Sequence, residues 1–295
     1  MAADSLFADV ALHVPGNGMP GSEDLFDLSK YNATPSSQVT GVELSDTHAV
    51  TGEATSVYCP ANTGADNSVV WSGSRFLIPS NTQFSLEMNV YVPAWGSGVH
   101  FASFSTSEAS GRCLFYATAG GQMRFNHYGA PEYTFGSVPS AAAWHHLCWE
   151  RDGSNNIVCY VDGAPLTYPV GFSAALGNGG GALRVHYGVE AYLSNIRLLP
   201  GARRYAGAFT PPAAPYGALG EVSGQVLNSA GVVAQRMVRA YRRDSGRLVG
   251  QGWSDSSGDY VLPVSVASSQ ECNVICLDDD TAPLANDLIL RTYPL

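Results

Sequence analysis

Carboxylates are the first residues in this chain whose spacing could do chemistry. Two carboxylates close together on one face of a strand could cleave a glycosidic bond, one as acid and one as nucleophile. Glu87 lies on the polar face of the alternating segment 84–92, but the next residue on that face is Asn89. Glu150 and Asp152 are also two residues apart, but Asp152 falls in a predicted turn. We therefore expect no catalytic carboxylate pair.

Nucleophile and metal-ligand patterns are weaker still. The chain contains neither Gly-x-Ser-x-Gly nor Gly-x-x-x-x-Gly-Lys-Ser/Thr. In a predicted hairpin, Cys148 stands opposite Cys159, so that both thiols and His146 would share one face. These ligands suit zinc, but a closed site needs four, and the predicted fourth neighbour is Val161. We expect packed core thiols and no enzyme activity; a Cys148–Cys159 disulfide stays open as the alternative.

Asp278, Asp279 and Asp280 form the densest acidic run. Calcium needs several oxygens that converge from a spaced ligand loop, and this run lacks that spacing. We expect a solvated strand end and no cofactor, with calcium as the alternative.

Two features could recognise a partner. Arg236, Arg239, Arg242 and Arg243 form a local basic cluster that could contact an acidic protein, although a solvated strand face is the simpler interpretation. Trp95 lies in a loop rich in Pro and Gly, and we expect its ring to be exposed. Exposed aromatic rings suit sugars and protein partners alike.

Short strands must position these residues, because apolar and polar residues alternate with period two throughout the chain. Segment 84–92 shows this pattern best and predicts a half-buried strand. Residues 144–151 and 156–163 predict a hairpin with a four-residue loop, which sets Arg151 opposite Asn156. Similar runs at 99–105, 114–118, 123–128, 192–198, 238–241 and 287–293, separated by turn residues, predict an all-β protein of packed sandwiches.

Composition limits the partners. The chain has 295 residues and a formal net charge of −10, which argues against nucleic acid. No apolar run is long enough to span a membrane, and the first residues do not resemble a secretion signal. Six cysteines in a chain of this length favour reduced thiols and synthesis in a cytoplasm. A stretch rich in Pro, Ala and Gly predicts a boundary near residue 217, with one domain at 1–217 and a second at 218–295.

Several motifs in the first 217 residues resemble a known family. They are Asp27-Leu-Ser-Lys-Tyr-Asn32, Trp71-Ser-Gly-Ser-Arg-Phe76, Trp144-His-His-Leu-Cys-Trp149, Val158-Cys-Tyr-Val-Asp-Gly163 and the closing Ile196-Arg-Leu-Leu-Pro-Gly-Ala-Arg-Arg-Tyr205 with Phe209-Thr-Pro-Pro212. Over residues 5–216 the chain resembles the laminin-G/concanavalin-A-like jelly roll found in tailed-phage structural proteins. The closing motif is its most specific part, and Arg203 and Arg204 within it are expected to be architectural.

The rest of the chain resembles a small prealbumin-like, carboxypeptidase-regulatory-like β-sandwich. The resemblance rests on Gly220-Glu-Val-Ser-Gly-Gln-Val226 and Trp253-Ser-Asp-Ser-Ser-Gly-Asp-Tyr260. Together the two modules imply a non-enzymatic component of a tailed-phage virion, in a tail, a baseplate appendage or a head decoration. Such a protein would be made in the host bacterium, would contact other virion proteins and would be oligomeric within an assembly. The alternatives are a tail protein that binds a host glycan receptor and, more remotely, a polysaccharide depolymerase.

Overall fold

The computed structural model describes most of the chain. The described residues are 6, 9–16, 20–31, 33–51, 53, 55–61, 68–96, 98–105, 113–127, 131–166, 169–177, 181–212, 220–227, 231–264, 266, 270–276, 288–292 and 294. Among them, no helix is long and apolar enough to cross a membrane. Asp278, Asp279 and Asp280 lie outside the described residues, so the calcium alternative stays untested.

Strands dominate the described chain, as the alternation predicts, and the expected all-β class is confirmed. The strands of the first 200 residues are β1 (Leu12–Val14), β2 (Ser37–Gln38), β3 (Glu43–Ser45), β4 (Ser56–Cys59), β5 (Val69–Ser72), β6 (Phe84–Tyr91), β7 (Gly98–Ser103), β8 (Cys113–Thr118), β9 (Gln122–His127), β10 (Tyr133–Ser137), β11 (Trp144–Arg151), β12 (Asn156–Val161), β13 (Ala164–Pro165), β14 (Val170–Gly171), β15 (Ala182–Gly188) and β16 (Ala191–Pro200). The later strands are β17 (Gly220–Gln225), β18 (Met237–Arg242), β19 (Leu248–Trp253), β20 (Asp259–Val264), β21 (Cys272–Cys276) and β22 (Leu288–Thr292).

Strands β1 to β16 form a large two-sheet sandwich. The first sheet has the order β13-β12-β11-β6-β16-β4-β3, with β14 attached to β12 and β1 attached to β16. The second sheet has the order β10-β9-β8-β7-β15-β5-β2. All described strand pairs are antiparallel, so each strand turns alternate residues inward.

Aromatic rings fill the space between the two sheets. Trp149 of the first sheet packs against Phe115 and Phe101 of the second, with ring centroids 5.3 and 5.6 Å apart. Phe115 also contacts Phe125, at 5.1 Å. Trp149 and Phe115 are fully buried. Burying large rings of this kind gives a sandwich most of its stability.

Strands β17 to β22 form a second, smaller sandwich. Its sheets are the pair β17-β20 and the four strands β19-β18-β21-β22. It has its own apolar core, to which Val238, Val249 and Leu262 belong. Residues 213–219, which connect the two sandwiches, lie outside the described residues, so the boundary at residue 217 stays a prediction.

The β11–β12 hairpin differs by one residue from the register expected of it. Asn155 adopts a φ of 64°, and the amide of Asp152 donates to the carbonyl of Asn156 over 2.9 Å, which leaves a loop of 153–155. Arg151 therefore pairs with Ile157 instead of Asn156. The four-residue loop was wrong because Asn tolerates the left-handed conformation that closes a three-residue, bulged hairpin.

This register separates the two cysteines of the hairpin. Cys148 pairs with Tyr160 and Cys159 pairs with Trp149, so the two thiols lie on opposite faces of the sheet. The predicted Cys148–Cys159 pairing is therefore wrong, and both thiols are free.

Strand β6 is buried on both faces, and the expectation of a half-buried strand was wrong in this respect. Its apolar residues face the core as predicted, but Ser85, Glu87 and Asn89 are also buried. The reason is that residues 203–209, here called the closing segment, return across the outer face of the first sheet. Alternation describes one strand and contains no information about a segment that covers it later.

Candidate functional site

Glu87 occupies the centre of a buried ionic cluster beneath the closing segment. It accepts hydrogen bonds from Arg197 Nε and the Tyr205 hydroxyl, each at 2.8 Å, and lies 3.1 Å from His146 Nε2 and 3.2 Å from Arg204 Nε. Burial alone would raise the pKa of this carboxyl, but Arg197, His146 and Arg204 hold the pKa well below its usual range. Glu87 is therefore a buried carboxylate that anchors the closing segment.

Glu150 binds the same segment at a second point. Its carboxylate accepts from the backbone amides of Arg204 and Tyr205, each at 2.9 Å, from Arg203 Nε at 3.0 Å and from Ser85 Oγ at 2.6 Å. The side chain is fully buried. Arg203 and Arg204 thus tie the closing segment to the sheet, which agrees with the architectural role expected of them.

These contacts decide what the carboxylates can do. A glycosidase needs an acid and a nucleophile that reach the substrate from either side of the scissile bond. Glu87 and Glu150 are at most 1% exposed, and their oxygens are occupied by cations and amides. Asp152 instead accepts the amides of Ser154 and Asn156 in its turn. None of these three carboxylates is placed to cleave a glycan.

The residues considered for zinc do not converge. His146 and Cys148 lie on the outer face of β11, whereas Cys159 faces the core. His145 and His146 point to opposite faces, as expected of neighbours on a strand. Within the described part of the chain, no group of three His, Cys, Asp or Glu side chains could hold a metal ion.

Trp95 is not the exposed ring that the sequence predicts. Its indole N–H donates to the carbonyl of Pro139 over 2.8 Å, and its ring packs against Phe101 at 6.0 Å. The side chain is half-buried at the edge of the core. The loop rich in Pro and Gly misled the prediction, because composition cannot show that a loop folds back onto its own sandwich. Ligand binding by Trp95 stays a prediction.

The arginines of the small sandwich do not act as one surface. Arg242 pairs with Asp244 at 2.7 Å, and Arg243 pairs with Glu271 at 2.5 Å. Arg239 lies over the ring of Phe26 in the large sandwich, 5.7 Å from its centroid. Arg236 has its backbone amide bonded to Ser254 Oγ. A role for Arg236, Arg239, Arg242 and Arg243 in binding another protein stays a prediction, and Arg239 already serves a contact within this chain.

A row of rings crosses the outer face of the second sheet, and no sequence pattern singles it out. Tyr187 on β15 pairs with His100 on β7, which pairs with Tyr116 on β8, which pairs with Arg124 on β9. Directly paired residues share a face, so these four side chains stand side by side across four strands. Adjacent strands are about 4.8 Å apart, so the row is roughly 14 Å long.

The rings in this row are available to a ligand. Tyr187 is 36% exposed, and the rings of His100 and Tyr116 are partly exposed. The centroid of His100 lies 5.1 Å from that of Tyr187 and 5.9 Å from that of Tyr116. The ring planes of His100 and Tyr187 are inclined by 31°, and those of His100 and Tyr116 by 77°, so the row offers both ring faces and ring edges. Partly exposed rings of this kind suit the apolar face of a sugar.

Polar groups stand at one end of the row. Arg124 pairs with Glu132 at 2.5 Å and donates to Gln122 Oε1 at 2.7 Å. Burial, followed by the hydrogen bond with Glu132, raises the pKa of Tyr116 to about 12, so its hydroxyl stays protonated. We name the surface formed by Tyr187, His100, Tyr116, Arg124 and Glu132 the aromatic face.

A second set of rings, on the first sheet, is packed more tightly. His48 stacks on Tyr91 with centroids 4.0 Å apart and meets the edge of Tyr192 at 4.6 Å. Tyr192 is 5% exposed. Because these rings cover one another, the aromatic face is the better candidate for a ligand. Alternation in β8 and β9 was the available signal, but it could not show that their outward residues align with those of β7 and β15.

Comparison with known proteins supports the architecture. A family model described as the concanavalin A-like lectin/glucanases superfamily matches residues 63–194. The binding domain of Paraclostridial Mosquitocidal Protein 1 is similar with a TM-score of 0.52 and 12% identity, over 98% of this chain and 76% of that one. The binding domain of botulinum neurotoxin DC, solved in complex with rat synaptotagmin II, has a TM-score of 0.50 and 9% identity, over 98% and 79% of the two chains.

A weaker match is a sialidase of Trypanosoma rangeli. Its TM-score is 0.45 at 14% identity, and the match covers 66% of this chain but 32% of that one, so this chain spans about a third of the sialidase. No curated protein sequence matches the chain at a significant level. At these identities the structural matches bear on the fold alone. The family model and the two binding-domain matches together support a concanavalin A-like lectin fold for the large sandwich, of which the model covers residues 63–194.

Proposed function

We propose that this protein is a component of a tailed-phage virion that binds a carbohydrate of the host surface. The observation that carries the binding role is the aromatic face, in which three rings and an Arg–Glu pair lie side by side. The large sandwich would present this face outward, and the small sandwich would hold it within the particle.

The chemistry of the aromatic face suits a neutral or amino-sugar oligosaccharide. Tyr187, His100 and Tyr116 offer partly exposed rings to the C–H groups of sugars, and their number suits several sugar units. Arg124 and Glu132 supply donors and acceptors for hydroxyl groups. Because these two charges neutralise each other, the pair gives an anionic glycan little advantage.

The burial of the carboxylates favours a protein that binds a glycan without cleaving it. Glu87 and Glu150, the residues that a depolymerase on this sheet would need, are buried under the closing segment. Two of the proteins with similar structures are described as binding domains, which fits a recognition role for this fold. The virion assignment rests on the resemblance of the closing motif and on the succession of the two modules.

A role in virion assembly is the second candidate. Leu227, Val232 and Val233 of the small sandwich are 48%, 56% and 44% exposed, and Leu227 and Val233 form a β-bridge. Neighbouring exposed apolar side chains favour contact with another protein. In that case the small sandwich would dock to a neighbouring virion protein, with or without a glycan on the large one.

The test is binding of the full-length protein to an array of neutral, amino and acidic oligosaccharides from bacterial surfaces. The best ligand is then measured by calorimetry with Tyr116→Ala and Tyr187→Ala. We expect each variant to weaken binding about tenfold, which corresponds to about 1.4 kcal/mol.

Tyr58→Ala is the matched control, since Tyr58 lies in the ring set of the first sheet. It should bind like the wild type. An array without any ligand, or equal affinities for the wild type and both aromatic-face variants, would contradict the proposal and leave assembly as the function to pursue.

A further inference from the structure

Three residues at one end of the first sheet form a hydrogen-bonded chain that the sequence did not reveal. His145 Nδ1 lies 2.7 Å from Asp162 Oδ2, and His145 Nε2 lies 3.1 Å from Ser140 Oγ. The tautomer that donates from Nδ1 to the carboxylate leaves Nε2 free to accept the serine proton. This is the order of atoms that activates serine nucleophiles.

Three different elements bring this chain together. His145 lies at the start of β11, and Asp162 follows β12 in a tight turn with Gly163, where both residues have positive φ of 51° and 79°. The second carboxylate oxygen of Asp162 accepts the amide of His146 over 2.9 Å, which fixes its orientation. Ser140 lies in the loop between β10 and β11.

That loop is anchored on both sides of Ser140. The Trp95 indole holds the carbonyl of Pro139 at 2.8 Å, and the amide of Ala142 donates to Val92 over 2.8 Å. Ala142 has a φ of 55°, a conformation that costs energy for an alanine and that the anchors must maintain. The hydroxyl is thereby held in place before any substrate arrives.

A substrate can reach the group. Ser140 is exposed, and the side chains of His145 and Asp162 are 13% and 51% exposed. We infer that Ser140, with His145 as its base and Asp162 as the positioning carboxylate, is a nucleophilic site that reacts with small carboxylic esters.

Ester hydrolysis at this site passes through an acyl-serine. Ser140 Oγ attacks the ester carbonyl carbon while its proton moves to His145 Nε2, and a tetrahedral oxyanion forms. The C–O bond to the alcohol then breaks, and the alcohol leaves with the proton from His145. Water repeats the sequence on the acyl-serine, which releases the carboxylic acid and restores Ser140.

Turnover should be slow. The amide of Ala142, a backbone donor of this loop, is already bonded to Val92 and so is not offered to the oxyanion. Donors aimed at the oxyanion contribute a large part of the rate of such enzymes.

The test uses the full-length protein with a fluorophosphonate probe and with p-nitrophenyl acetate. We expect one equivalent of phosphonyl label, located on Ser140 by peptide mapping, and an initial burst of nitrophenol. Ser140→Ala should abolish both, and Asp162→Asn should slow labelling at least tenfold. Asn tolerates positive φ, so the turn should survive this substitution.

Ser137→Ala, three residues away on β10 and also exposed, is the control and should label like the wild type. Neither the probe nor the ester contains a glycan, so these assays report on Ser140 independently of the proposed glycan binding. Absence of label, label spread over several serines, or equal labelling of Ser140→Ala would overturn the inference and leave the three residues as a link between two loops.

Discussion

The pKa values of Glu87 and Glu53 shift in opposite directions, according to the neighbours of each carboxyl. Glu87 faces Arg197 and Arg204, which keep its pKa well below the usual range. Glu53 instead faces neutral groups, the Ser194 hydroxyl and the Asn195 amide, so burial raises its pKa to about 8. Glu87 is therefore a fixed charge at neutral pH, whereas Glu53 is a titrating group.

Glu53 therefore predicts a pH-dependent stability. Its pKa is raised on folding, so the stability it contributes is complete below the unfolded pKa of about 4.3 and is lost as pH rises towards 8. Glu53→Gln, which mimics the protonated carboxyl, should reduce the loss of stability between about pH 5.5 and pH 8. Urea unfolding midpoints at the two pH values measure this effect.

Glu132→Gln is the control for this experiment. Hydrogen bonds from Tyr116 and Arg124 lower the pKa of the Glu132 carboxyl, so it stays ionised across the same interval. The control should lose as much stability as the wild type between the two pH values. The prediction fails if Glu53→Gln does the same.

At the scale of elements, the closing segment and the β12–β13 turn depend on one another. The amide of Phe209 donates to the carbonyl of Gly163 over 2.9 Å, and the rings of Phe209 and Tyr205 stack at 3.5 Å. A Cβ on Gly163 would lie 1.8 Å from the carbonyl oxygen of Phe209, and Gly163 has a φ of 79°. Only glycine fits this position, because both the conformation and the space exclude a side chain.

Gly163→Ala should therefore lower the free energy of unfolding by about 3 kcal/mol, combining backbone strain with displacement of the closing segment. Gly201→Ala separates these effects, since Gly201 also has positive φ but a Cβ added to it would meet nothing within 4 Å. It should cost about 1 kcal/mol, from strain alone. Equal losses in urea unfolding of the two variants would show that the contact with Phe209 carries no stability.

At the scale of the whole molecule, the two sandwiches touch through a loop near the start of the chain. Asp27 organises that loop by accepting the amides of His13, Ser29 and Ala33, each at 2.8 Å. Arg247 of the small sandwich donates to the carbonyls of Ser29 and Lys30, each at 2.7 Å. The loop that Asp27 organises therefore forms the surface that contacts the small sandwich.

Arg247→Ala should loosen this contact, because two charge-assisted hydrogen bonds are lost, at a cost of about 1 to 3 kcal/mol. We expect a larger radius of gyration in small-angle X-ray scattering and an earlier unfolding transition of the small sandwich. Arg243→Ala, which removes a pair formed within the small sandwich, should leave the radius unchanged. An unchanged radius for Arg247→Ala would show that other contacts hold the two parts.

Alternation was enough to predict the strands, because successive side chains of a strand point to opposite faces. Residues 84–92 and 192–198 were predicted as strands, and β6 and β16 occupy those positions. The motifs also predicted the concanavalin A-like fold that the family match and the two-sheet sandwich support. The resemblance to tailed-phage proteins stays a prediction.

Which residues come into contact could be seen only in the folded chain. The left-handed conformation of Asn155 shifts the β11–β12 register by one residue from the expected one. This shift places Cys148 and Cys159 on opposite faces of the sheet, whereas the expected register would have paired them. The closing segment covers Glu87 and so buries it. Trp95 is half-buried because its loop folds back onto the sandwich. The separation of two residues along the chain does not show whether they make such a contact. The aromatic face joins four strands, and the Ser140–His145–Asp162 chain joins a loop, a strand and a turn, so neither produces a local pattern.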